Sequence, residues 1–366
     1  MSDSGEGQED FDDLGTSPSR ITSPEMRREV QKAVAWTAVI GATVFLVFIS
    51  RSLLVIFGAM VFAAMIDGGA RLLQRVIPLK RIWLVSIVLI VTAGFGYWLA
   101  TYAGTQISRE AAQLPEIVEQ QVGVAIAWLE KQGFTVDQAD VQSMAGSLVS
   151  GVGTVTRAIG GIMGGLTTIL LISIIGIYIA VDPMLYERGV AWMLPRHRRS
   201  EFYETVAKMG YTMRRLMAGR LVGMVFEGVF TWIMLAAYGV PMAVLLGILT
   251  GLLAFIPNIG ALIAGALMVL VGFSGGTDMG LYTIFVYFLV QTFDGYVVIP
   301  LIAKKTVDLA PALVLAAQLI MGILFGILGL FLADPLLAMI KVALEQRAKR
   351  TDEKLKNQTP ETADGT

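Results

Sequence analysis

Residues 251–265 read GLLAFIPNIGALIAG. They lie inside an apolar run, residues 242–273, of a kind that belongs in a lipid bilayer. Yet their centre, Pro257-Asn258-Ile259-Gly260, is a turn signal. Proline lacks an N–H, asparagine is polar and glycine is a poor helix former. The run is too long for one straight crossing of ~20 residues and too short for two. A central turn folds it into a re-entrant hairpin that enters from one side and leaves on the same side. Irregular backbone is not tolerated against lipid, but it is tolerated where protein buries it or where it lines a watery cavity. A broken helix of this kind marks a substrate path in transporters. The alternative is one long, tilted, proline-kinked helix.

The rest of the chain agrees with a bilayer setting. Of its 366 residues, 55% are hydrophobic and only 16% charged, against about 25% charged in a soluble domain. Mean hydropathy is +0.69. A formal net charge of −1 argues against a nucleic-acid partner, whose binding rests on phosphate neutralisation. The absence of cysteine removes disulfides, zinc–thiolate sites and thiol nucleophiles. The single histidine, His197, sits in the basic stretch PRHRRS and leaves no material for a catalytic triad or a multi-histidine metal site. No GxxxxGK[ST] motif occurs, so ATP is not bound by that device. No enzyme activity, cofactor or metal is expected.

About eight hydrophobic segments can be marked off: Val34–Ile49, Leu53–Ile66, Ile82–Ala103, Gly160–Val181, Leu221–Tyr238, Met242–Phe273, Gly280–Ile299 and Leu309–Ala343. The first two read as a tight hairpin around Arg51. The reading is an all-α integral membrane protein with two re-entrant or broken hairpins. Its parts are a disordered N-terminus (1–30), transmembrane helices 1–3 (31–103) and an extracytoplasmic amphipathic segment (104–159). Transmembrane helix 4 (160–181), a basic loop (182–220), a transport core (221–344) and a disordered tail (345–366) follow. In the outer segment Leu114, Ile117, Val118, Val122, Ala125, Trp128 and Leu129 recur at helical spacing.

Lysine and arginine set the orientation. Basic groups precede the first segment (Arg20, Arg27, Arg28, Lys32) and link the second to the third (Arg71, Arg75, Lys80, Arg81). Others fill 182–220 and follow the last segment (Lys341, Arg347, Lys349, Arg350). All fit a cytoplasmic side, with both termini in the cytoplasm of a bacterial plasma membrane. If 242–273 is a hairpin, Lys304 and Lys305 join them; if it crosses once, they fall outside. The stretch 309–343 must then be a hairpin too, and it carries Gly322, Gly326 and Gly329 near its middle as packing or hinge positions. Two overlong, interrupted stretches entering from opposite sides match the inverted repeats of secondary transporters.

Ionisable groups at membrane depth are costly and usually functional. Glu227 and Asp294 are candidate proton carriers. Gln291 lies three residues before Asp294 and shares its helix face. With Pro257, Asn258, Gly260 and Gln318 they form a candidate substrate path. Asp334, before Pro335, reads as a helix cap near the cytoplasmic surface.

Three stretches carry a family resemblance. GVPMAVLLGILTGLLAFIPNIGALIAG (239–265) resembles the central signature of the autoinducer-2 exporter family, the PerM-type permeases. YIAVDPMLYERGVAWMLPRHR (178–198) is similar to the segment after its fourth helix. The stretch from Gln291 to Val342 resembles its C-terminal signature at Gln291, Pro300, Pro311, Gly322, Gly326, Gly329 and Pro335. Asp294 stands where the family usually has glutamate, and Asp334 where an apolar residue is usual. Glu227 falls in no motif of the family. The resemblance implies an eight-helix, homo-oligomeric permease. It also implies either export of autoinducer-2, a small polar quorum-sensing signal, or sodium(lithium)/proton antiport. A membrane scaffold that transports nothing is the remaining reading. Membrane lipid and a small-molecule or ion substrate are the expected partners.

Overall fold

The computed structural model describes residues 24–98, 101, 104–132, 162–298 and 309–358. The readings on 1–23, 133–161, Pro300, Lys304, Lys305 and 359–366 lie outside them. Among the described residues the chain is helical, with no strand. The helices are α1 (Pro24–Gln74), α2 (Arg81–Trp98), α3 (Gly104–Lys131), α4 (Ile162–Val181), α5 (Pro183–Trp192) and α6 (Arg199–Ala237). Then come α7 (Ala243–Leu253), α8 (Ile259–Ser274), α9 (Thr277–Phe293), a π-helical turn (Asp294–Val298) and α10 (Pro311–Gln358).

Among the described residues, three stretches are long and apolar enough to cross a membrane: Arg27–Gln74, Arg196–Ala237 and Pro311–Glu353. Thr167–Val181 and Pro183–Trp192 pass together as a fourth, bent by 88°. Asp182 caps the helix after that bend, accepting from the Leu185 N–H, with Pro183 at the first position.

The chain divides into two compact units, Met1–Leu53 and Leu54–Thr366. In the first, Trp36, Ile40, Phe45 and Phe48 are exposed, an apolar surface suited to lipid rather than water. Residues Pro24–Gln74 are helical throughout, so Arg51 lies within a helix and not at the expected hairpin turn. Nothing near Arg51 breaks a helix: its neighbours are Ile49, Ser50, Ser52 and Leu53, with no proline or glycine among them.

The second unit is organised on α6. Much of the basic stretch 182–220 is helical, in α5 and the first half of α6. Residues 345–358, read above as part of a disordered tail, extend α10 as helix. Arg350 there donates to the Glu201 carbonyl (2.6 Å) and the Thr205 hydroxyl (2.9 Å) at the start of α6. These bonds supply the order that composition alone does not.

Two reversals decide the architecture. α7 has 11 residues and α8 has 16, each short of the ~20 of a full crossing. Between them Asn258 takes φ 62° and ψ −60°, and the two helices pack on each other. Gly260 lies so close to the Leu253 carbonyl that a Cβ would collide with it. The second reversal is inside α10. Gly326 has φ 64° and ψ −143°, a conformation open in practice only to glycine. Eight residues along a straight helix would separate Met321 from Gly329 by about 12 Å. Instead, a Cβ on Gly329 would strike the Met321 carbonyl, and one on Gly322 would stand 3.0 Å from Leu330. The stretch Pro311–Glu353, with 43 residues, is about twice the length of one crossing and has the geometry of a hairpin.

α7 lies against α6 through glycines. A Cβ on Gly251 would stand 2.8 Å from the Met224 carbonyl, and one on Gly228 3.1 Å from the Gly247 carbonyl. Small residues at this spacing let two backbones touch, the main source of helix affinity in lipid. α3 closes the other side, as its apolar spacing predicts: Leu114 and Val118 are buried with Leu245, Leu249, Leu267 and Val286.

Replacing Gly326 by alanine forces a side chain into its left-handed conformation, at a cost of ~1–3 kcal/mol. Gly41→Ala, with open space around it, should be neutral or stabilising by up to ~1 kcal/mol. Thermal unfolding of the purified protein should show a lower midpoint for the first variant only. Equal midpoints would mean that Gly326 does not hold the reversal.

Candidate functional site

α6 presents Arg220, Glu227 and Thr231 along one face, at i, i+7 and i+11. Each is drawn from a run that is otherwise apolar, so each needs a partner or a ligand.

Arg220 binds the second hairpin. Its Nη2 donates to Asp334 Oδ2 at 2.6 Å. The other carboxylate oxygen of Asp334 accepts from Gln318 Nε2 at 3.1 Å. Gln318 and Asp334 stand on opposite limbs of α10, so this bond crosses the hairpin and requires the reversal at Gly326. Gln318 is fully buried and Asp334 is 5% exposed. Asp334 is therefore a buried ion-pair partner rather than a surface cap. Gln318 Oε1 is buried and accepts no hydrogen bond.

Glu227, 6% exposed, faces α9. Gln291 is its side-chain hydrogen-bond partner, and both Asp294 and Arg220 act on it electrostatically. Asp294 comes close to the same helix face: a Cβ on Gly223 would stand 3.9 Å from Asp294 Oδ1. The shared helix face expected for Gln291 and Asp294 is found at the end of α9, where the helix widens into its π turn. Such turns recur at functional sites. The second carboxyl oxygen of Glu227, Oε2, has no hydrogen-bond partner, nor has the hydroxyl of fully buried Thr231 one turn away. Buried polar atoms are rarely without a protein partner, which singles out these atoms and Gln318 Oε1.

The two hairpin tips meet. Phe255, just before the first turn, stacks on Phe331, just after the second, with ring centroids 4.8 Å apart. Met213 and Met217 of α6 are buried with Leu332, Ala338 and Met339, and Phe255 and Phe325 pack on the same cluster. The turn residues themselves do not join the polar network. Pro257 is half-buried, Gly260 buried and Asn258 exposed. Of the residues singled out from sequence, Glu227, Gln291 and Asp294 come together at one place. Gln318 joins Asp334 and Arg220 at another along the same α6 face. Gly322 and Gly329 line the inside of the second reversal, with Gly326 at its turn.

Sequence reasoning offered Arg220 only as one of three candidate partners of Asp294, beside Lys304 and Lys305, and it placed Asp334 at the surface. The available signal was charge pairing. Arg220 is the last base before an apolar helix, and Asp334 is an acid where the resembled family is apolar.

A sequence profile described as the AI-2E family transporter matches residues 36–349. The putative transport protein YueF of Bacillus subtilis is 25% identical over 313 residues, 81% of this chain and 84% of that protein. The putative permease PerM of Escherichia coli K12 is 25% identical over 342 residues, 89% of this chain and 94% of that protein. The AI-2 transport protein TqsA of the same strain is 34% identical over 127 residues, 34% of this chain and 36% of that protein.

A double-mutant cycle measures the ion pair. Arg220→Met alone leaves Asp334 buried and unpaired, and Asp334→Leu alone leaves Arg220 so. Each should cost about 2–4 kcal/mol, below the fully buried range because Arg220 keeps some exposure. The double variant should cost clearly less than the sum. Losses that simply add would mean that the two charges do not depend on each other.

Proposed function

This chain belongs to the AI-2E transporter family, and we propose that it is a proton-coupled secondary exporter of a small polar solute, working by alternating access. The observation that carries the proposal is Glu227. It is a buried carboxyl with one oxygen unpartnered, beside Gln291 and Asp294, on the helix that holds both hairpins. A carboxyl in that position binds or releases a proton with each change in its access to water.

In this reading the broken stretches 242–273 and 309–343 are re-entrant and act as the gates. Their tips, joined by Phe255 and Phe331, separate the two sides. Pro257, Asn258 and Gly260 line the path at the first turn, and Gln291, Asp294 and Gln318 line it deeper in. Glu227 and Asp294 carry the proton. The chain sits in the plasma membrane with both termini cytoplasmic, as the basic groups favour, and assembles as a homo-oligomer. Autoinducer-2 is the first solute to test, because it is named for the relative of 34% identity. Its hydroxyl-rich chemistry suits the orphaned acceptors Glu227 Oε2 and Gln318 Oε1.

A second reading, sodium(lithium)/proton antiport, is favoured by charge. Glu227, Asp294 and Asp334 face one arginine, Arg220, and such an excess of carboxylates suits a cation.

Liposomes holding the purified protein and a pH-sensitive dye test both. Under an imposed proton gradient, autoinducer-2 should move protons, and Glu227→Gln or Asp294→Asn should slow that movement at least tenfold. Movement on adding sodium or lithium alone would select the antiporter. Normal transport by both variants at every pH would end the proton-carrier assignment.

A further inference from the structure

Away from the polar network, one carboxylate holds three guanidiniums. Asp67 Oδ1 accepts from Arg81 Nη2 at 2.6 Å, and Oδ2 from Arg71 Nε at 2.8 Å. Arg214 Nη1 stands 3.2 Å from the same Oδ2. Arg81 Nη2 also donates to the Ala180 carbonyl at 2.9 Å. The cluster therefore joins the end of α1, the start of α2, the end of α4 and the first half of α6. The Asp67 side chain is 10% exposed, so this is a built junction and not a meeting of surface chains. Gly69 lets α2 close in: a Cβ there would stand 3.1 Å from Val88.

The charge at this junction does not close. Asp67 has two carboxylate oxygens, and both are taken. Glu187 of α5 also acts on Arg214, but three guanidiniums still face two carboxylates. Arg81 Nε is buried without a hydrogen-bond partner. Meanwhile the side chains of Arg71, Arg81 and Arg214 each keep some outward exposure. Guanidinium forks match the oxygens of a phosphate, and gathered arginines bind it more tightly than single ones. The surroundings indicate where the phosphate comes from. Leu72, Ile82 and Trp83, next in sequence to Arg71 and Arg81, are exposed. A basic pocket between membrane helices with a tryptophan beside it is how anionic headgroups are held at the bilayer edge.

We propose that Arg71, Arg81 and Arg214, gathered on Asp67, bind the phosphate of an anionic phospholipid whose acyl chains lie along Leu72, Ile82 and Trp83. The lipid completes the charge of the junction and ties α1, α2 and α6 together. The proposal does not depend on which solute is transported.

The test uses the full-length protein in detergent, with thermal unfolding followed while short-chain phosphatidylglycerol is added. Phosphatidylcholine of the same chain length and inorganic phosphate serve as parallel additions. Phosphatidylglycerol should raise the midpoint by several degrees, and native mass spectrometry should show the lipid retained. Arg81→Gln and Arg214→Gln should lose most of both effects. Arg196→Gln, at an exposed arginine elsewhere, should keep them. If the first two variants do not fold, Arg71→Gln decides the question, because Arg71 is the most exposed of the three. It should leave the phosphatidylcholine midpoint unchanged and reduce the shift with phosphatidylglycerol. An equal shift with phosphatidylcholine, an equal shift with inorganic phosphate, or full retention of the lipid by the folded arginine variants would overturn the proposal.

Discussion

The Arg220–Asp334 ion pair is the interaction on which the second hairpin depends. A chain that reverses inside an apolar setting leaves backbone groups without helical partners, and hydrocarbon offers them none. Such a turn persists only where other protein covers it. Arg220 brings the second hairpin to α6 through Asp334, and Gln318 closes the two limbs on the same carboxylate. The Phe255–Phe331 stack then sets the first turn against the second. Each hairpin is part of the cover for the other, and α6 is common to both.

The two hairpins are held to α6 by different physics. The first meets it through Gly228, Gly247 and Gly251, backbone close to backbone, with Leu235 of α6 packed among Leu245, Leu246 and Leu249. Such a contact is held mainly by dispersion and close packing. The second is held by a charge pair that is strong in one geometry and costly to break. In the proposed cycle, neutralising Asp334 or offering Arg220 another carboxylate would release this contact at a defined event. Asp294 and Glu227 lie within electrostatic reach of Arg220.

Much of this was legible in the sequence. The turn at Pro257–Gly260 could be read because proline, asparagine and glycine cluster where an apolar run is too long. The second reversal could be read only as an overlong run with glycines, since nothing in GILFGILG says which glycine takes the positive φ. Glu227 and Asp294 stood out as acids in apolar surroundings. Asp67 and Asp334 did not, because each lies near the end of its apolar run, where a surface role is the cheaper assumption. Their burial is a tertiary fact: Asp67 depends on Arg81 and Arg214, 14 and 147 positions away, and Asp334 on Arg220, 114 positions away. The length of α1 was missed for the opposite reason. One arginine in an apolar stretch reads as a boundary, but a helix can carry it.

In the proposed proton-coupled cycle, the bonding of the acids around Arg220 favours Glu227 over Asp334 as the carrier. Asp334 has both oxygens occupied, one by a guanidinium and one by an amide. A proton arriving there would neutralise the charge that holds Arg220. Glu227 has an oxygen with nothing bound to it, and the nearest unpartnered group is the hydroxyl of Thr231, which can donate as well as accept. Protonating Glu227 breaks no ion pair and removes a buried negative charge. In that cycle, deprotonating it restores a charge that competes with Asp334 for Arg220. The proposed cycle would thereby link proton movement at one point on α6 to release of the second hairpin at another through a single side chain. The linkage needs no contact between the proton and the gate.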